Sequence, residues 1–144
     1  MDGVMTLEPL LNASGAVRLH ALPAIAAFVL GAIQLAAPKG TLPHRVLGWI
    51  WVVLMALTAL SSFFIHTICT VGPFSVIHLL SVVTLLVLPL GVLRARRRDI
   101  RGHRRIMLLL FLGALLVAGI FTFMPERIMH DVAFGTQNTH GSCW

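Results

Sequence analysis

The sequence predicts an all-α membrane protein: an up-down bundle of four transmembrane helices, a single domain over residues 1–144. Three observations predict it. First, 58% of the 144 residues are hydrophobic, only 11% are charged, and the mean hydropathy is +0.92. Soluble domains carry roughly 25% charged residues, so a water-soluble domain is excluded. Second, the apolar residues fall into four runs of membrane-crossing length. Third, the basic residues gather between those runs. The same composition excludes disorder, and two cysteines are too few for a disulfide scaffold. The absence of Tyr and of strand-like alternation argues against an outer-membrane barrel.

The runs cover about residues 19–37, 46–65, 75–93 and 106–124. Each is close to the ~20 residues that a helix needs to cross ~30 Å of hydrocarbon. Helices are required because lipid offers backbone groups no partners. The connections are short, so consecutive helices are antiparallel neighbours. The segment before the first run is long and carries Asp2 and Glu8, unlike the short basic opening of a signal peptide, so the first run is expected to stay.

Charge sets the orientation. Lys39 and Arg45 flank the first connection, and Arg94, Arg96, Arg97, Arg98, Arg101, Arg104 and Arg105 fill the third. Nine of the eleven Lys and Arg residues therefore lie at one end, which the positive-inside rule makes cytoplasmic. Both termini are then expected in the periplasm of a bacterial inner membrane. The net charge of +6 and pI near 11.4 are explained by lipid headgroups and topology, with no nucleic acid implied. Cys69 and Cys143 both fall at the outer, oxidising end, where a disulfide and two unpaired thiols are equally open readings.

Seven histidines in so apolar a chain are the main chemical signal. His20 and His78 lie at the outer ends of helices one and three; His44 and His103 lie at the inner starts of helices two and four. In an up-down bundle helices one and three are diagonal, as are two and four. Two diagonal imidazole pairs, one per leaflet, are what two bis-histidine haems need. Small residues near these histidines, among them Ala24, Ala27, Gly31, Gly48 and Ser81, leave room for a flat macrocycle or let helices pack closely without one. The His20–His44 and His78–His103 spacings, 24 and 25 residues, also suggest two tandem hairpins; chance alignment of apolar runs is the alternative. A rival reading places His66 and His130 with His20 and His78 around an outer transition-metal site. Among the remaining residues, Trp49 and Trp51 read as interfacial anchors and Pro89 as a kink. Gln34 reads as an interhelical hydrogen bond, or a contact to quinone. No catalytic constellation appears, and no Asp or Glu falls in any of the four runs.

The segments KGTLPHRVLGWIWVVLMALTALSSFFI, GPFSVIHLLSVVTLLVLPLGV, RRRDIRGHRRIMLLLFLG and FTFMPERIMHDVAFG resemble a bacterial family of predicted inner-membrane proteins of unknown function, the DUF2306 type, over about residues 15–135. More distantly, the arrangement looks like the four-helix core of the cytochrome b561 and ferric-reductase type. That resemblance implies two haems b, ligated by His20 with His78 and by His44 with His103, and electron transfer across the membrane. The inner histidines lie nearer the bilayer edge than such ligands usually do, and no ascorbate or ferric-chelate motif is recognisable. The expectation is a b-type cytochrome-like electron carrier, with quinone or a respiratory complex as partner. A cofactor-free accessory or structural subunit of a larger membrane complex, in a homo- or hetero-oligomer, is the competing expectation.

Overall fold

The computed structural model describes residues 8–65 and 76–123. A single turn, α1 (Glu8–Leu11), precedes α2 (Gly15–Ala36). Ser14 caps α2, its Oγ accepting from the Val17 amide at 3.4 Å. Helix α3 (Leu42–Ser61) starts at Thr41, whose Oγ1 accepts from the His44 amide at 3.3 Å. Pro43 sits in the first turn of α3, where its missing N–H costs nothing. The end of α3 tightens into a 3₁₀ turn over Ser62–Phe64. Helix α4 (Val76–Arg96) runs through Pro89, and α5 (Ile100–Leu109) continues without a break into a π-helical segment, Leu110–Val117, and a last turn, α6 (Ala118–Phe121).

Four helical stretches are long and apolar enough to cross a membrane: Gly15–Ala36, Leu42–Phe64, His78–Arg96 and Ile100–Phe121. The second and fourth helices begin four and six residues earlier than their apolar runs. The caps explain this. Thr41 and Asp99 satisfy amides of the first turn, so each helix can open while its residues are still polar. Between α4 and α5 the chain reverses in three residues. Arg98 adopts a left-handed φ of 61°, the Asp99 amide bonds the Arg94 carbonyl at 3.0 Å and the Arg98 amide bonds the Ala95 carbonyl at 3.1 Å. This is a Schellman stop with arginine where glycine is usual.

Helix α2 packs on α3, α3 on α4, α4 on α5 and the π segment, and the π segment closes the ring against α2. Within the described residues the backbones of α2 and α4 make no contact, and neither do those of α3 and the π segment. These are the two diagonals of an up-down bundle. The Arg96 guanidinium lies 5.8 Å from the Trp49 ring, which holds the two basic connections at one end.

The core is a layer of Ala27, Trp51, Met55, Leu88, Leu110, Phe111 and Leu115. Close packing, more than burial from water, holds helices together in lipid, and this layer is closely packed. The Trp51 indole N–H donates to the Ala27 carbonyl at 2.9 Å, and Phe111 stacks on Phe28 with ring centroids 5.5 Å apart. Trp51 is therefore a core residue, contrary to its reading as an interfacial anchor: its helical position faces α2, where a carbonyl satisfies the indole. Trp49, two residues earlier, points outward as expected. The outside of the bundle is a coat of exposed Leu, Val, Ile and Phe, including Leu19, Val29, Val53, Leu86 and Ile120. A helix surface apolar on all sides is suited to lipid.

Candidate functional site

The polar groups inside the bundle form two tiers separated by the apolar layer. The outer tier is built on the last turns of α3. His20 Nδ1 lies 2.9 Å from the Thr58 carbonyl and 3.3 Å from Ser61 Oγ. A carbonyl can only accept, so Nδ1 carries the proton and Nε2 the lone pair of the neutral ring. On the side of the same segment that meets α4, the Ser62 and Ser81 hydroxyls are hydrogen-bonded at 2.6 Å, and the His78 ring lies 5.7 Å from that of Phe63. His78 is 5% exposed, and Ser61, Ser62, Ser81 and Thr84 are buried with it. Both outer histidines thus come from diagonal helices to one turn, Thr58–Phe63.

The hydroxyls of this tier went unread in the sequence. Their signal was present: Thr58, Ser61 and Ser62 stand at i, i+3 and i+4 in an otherwise apolar run, a helical spacing that gathers them at the end of α3. Each also returns a bond to its own helix, Thr58 to Leu54, Ser61 to Thr58 and Ser62 to Ala59. Such back-bonding lets a hydroxyl sit in a membrane helix.

The inner tier joins the first turns of α3 and α5. His44 and His103, on diagonal helices, are within electrostatic reach of each other. His103 Nδ1 lies 2.9 Å from the Gly91 carbonyl of α4, so it too donates from Nδ1. Gln34 Nε2 donates to the His44 carbonyl at 3.1 Å, the interhelical bond expected of it. Gln34 Oε1 and His44 Nδ1 are buried without a hydrogen-bond partner. Beyond this tier, at the membrane edge, the Arg94 guanidinium and then the Gly102 amide bond the Asp99 carboxylate and hold it below the usual carboxylate range.

Along α3, His44 and Thr58 are fourteen residues apart, so the tiers stand about 21 Å apart at 1.5 Å per residue. The structure brings His20 and His78 to one tier and His44 and His103 to the other. His66 and His130 lie outside the described residues, as do Cys69 and Cys143. Among the described residues no three His, Cys, Asp or Glu side chains converge on a point that could hold a metal ion.

Imidazoles that bind metals typically give their second nitrogen to a carbonyl or carboxylate, which fixes the ring and its tautomer. His20 and His103 have that arrangement, and His44 has an orphaned buried nitrogen. The middle layer offers no place for a macrocycle, because a single added carbon at Gly31 would lie 2.6 Å from Phe111 and 2.8 Å from the Trp51 indole nitrogen.

A family model described as "Predicted membrane protein (DUF2306)" matches residues 17–144. The chain belongs to this family. No curated protein and no solved structure matches it.

Proposed function

We propose that this DUF2306 protein is a b-type cytochrome-like electron carrier of the bacterial inner membrane, with its arginine-rich end in the cytoplasm. His20 and His78 would hold an outer haem b, and His44 and His103 an inner one. The observation that supports this reading is that imidazoles stand on diagonal helices in two tiers, two of them held through Nδ1 by a backbone carbonyl. Bound haem would supply reversible one-electron transfer. The chain's own residues do the rest. The Thr58 and Gly91 carbonyls fix the imidazole planes, and the orphaned Gln34 Oε1 is an acceptor suited to a quinol hydroxyl at the inner tier.

The test is a reduced-minus-oxidised visible spectrum of the purified protein, with a pyridine haemochrome assay for stoichiometry. About two haems b per chain are expected, and His20→Ala and His44→Ala should each remove one. A colourless protein from haem-replete cells would falsify the reading.

A second reading, a cofactor-free accessory subunit of a larger membrane complex, is favoured by one observation. The helices approach closely at Gly31, where an added Cβ would meet the buried Phe111 and Trp51 rings, and at Gly91, where it would meet the half-buried Met107 and Ile106. Stoichiometric copurification of a partner with colourless protein would support it. The outer metal site of His20, His66, His78 and His130 would be tested by metal analysis of the same preparation.

A further inference from the structure

The face of the fourth span that carries Arg101, Arg104, Arg105, Leu108, Leu109 and Leu112 is not used by either tier. These positions follow i, i+3, i+4, i+7, i+8 and i+11, which makes one continuous stripe along the helix. Together they line a single groove on the outside of the bundle. Its two halves differ in chemistry. The three arginines occupy the opening turns of α5 and are all exposed. The leucines continue toward the midplane, with Leu109 and Leu112 63% and 46% exposed. From Arg101 to Leu112 the helix rises about 16 Å, close to the ~15 Å of one leaflet's hydrocarbon.

Among the described residues these three arginines have no ion-pair partner. The ion pair among the described residues is Arg94 with Asp99, and Arg96 is engaged by Trp49. No described carboxylate meets Arg101, Arg104 or Arg105. A guanidinium cluster at headgroup depth, set above an apolar groove one leaflet long, complements a molecule with an anionic head and an acyl tail. We propose that this groove binds an anionic glycerophospholipid, its phosphate on the three arginines and an acyl chain along the three leucines. A free phosphate would have no use for the leucines, and a zwitterionic lipid would gain less from the arginines. The groove over Trp49, Ile50, Val53 and Leu54 provides the contrast, since its lining is wholly uncharged.

The test uses the full chain in neutral detergent, where no charged bilayer acts on the protein as a whole. After delipidation, phosphatidylglycerol and phosphatidylcholine with the same acyl chains are titrated in, and retained lipid is counted by native mass spectrometry. One phosphatidylglycerol should be retained per chain at concentrations where phosphatidylcholine is lost. The double variant Arg101→Gln with Arg104→Gln should weaken its retention about 30-fold, from the ordinary contribution of two arginines beside an anionic headgroup. Arg97→Gln with Arg98→Gln removes the same charge outside the groove and should leave retention within about threefold. Equal losses in the two double variants would overturn the site. So would equal retention of the two lipids, or binding of glycerol phosphate, which lacks acyl chains, as tightly as phosphatidylglycerol.

Discussion

Gly31 and Gly91 are both buried glycines at helix contacts, yet their surroundings differ in how far they can yield. A Cβ at Gly31 would lie 2.6 Å from Phe111 Cδ2 and 2.8 Å from Trp51 Nε1. Both rings are held, Phe111 by stacking on Phe28 and Trp51 by its bond to the Ala27 carbonyl. A Cβ at Gly91 would meet mainly the terminal methyl of Met107, which can swing away, and the Ile106 side chain. Alanine adds a similar helix propensity at either place, so the difference between the two variants isolates packing. Gly31→Ala is expected to be less stable than Gly91→Ala by about 1–3 kcal/mol, the usual cost of overpacking. Detergent or denaturant melts of the two proteins side by side would check this. Equal stability would mean that the middle layer is looser than its ring contacts indicate.

At the scale of the element, helix starts decide how deep the inner histidines sit. The cap at Asp99 opens α5 before its apolar run begins, and that places His103 one turn inside a helix, where its Nδ1 reaches Gly91. Because the Arg94 pair and the Gly102 amide depress the Asp99 pKa, the charged form is favoured in the fold. The stability it contributes is complete above the ordinary pKa of Asp, about 3.9, and is lost as the pH falls through the lower folded value. Asp99→Ala should therefore lower the melting temperature at neutral pH, and the gap to the native protein should close in acid. Asp99→Asn, which keeps an oxygen for the Gly102 amide, should lose less. A gap independent of pH would show that the cap, and not the charge, carries the contribution. The helices themselves were legible because twenty apolar residues in a row have few other uses. Their starts were not, since Thr41 and Asp99 stand outside the apolar runs and act through a single oxygen each.

At the scale of the whole molecule, the order of helices around the bundle followed from short connections, and the structure has the diagonals so implied. Sidedness follows from the arginines in the same way, and labelling tests it directly. With Cys69 and Cys143 replaced by serine, Ser14→Cys is expected to react with an impermeant maleimide in intact cells. Arg97→Cys should react only after lysis. The reverse pattern would invert the protein and move the lipid groove to the outer leaflet. The site was only half legible. Histidines announce themselves in an apolar chain, but Trp51 and the Thr58, Ser61 and Ser62 hydroxyls are placed by neighbours on other helices. One sequence carries no record of those neighbours.

The layer of Ala27, Trp51, Met55, Leu88, Leu110, Phe111 and Leu115 also has an electrical consequence. Its side chains carry no charge, and their one strong polar group, the Trp51 indole N–H, is already bonded to the Ala27 carbonyl, so an ion crossing between the two histidine tiers would be poorly solvated there. A unit charge carried across the whole membrane works against or with about 2.3 kcal/mol per 100 mV. Among the described residues, the side chains of this layer offer a proton no hydrogen-bonded path from one tier to the other.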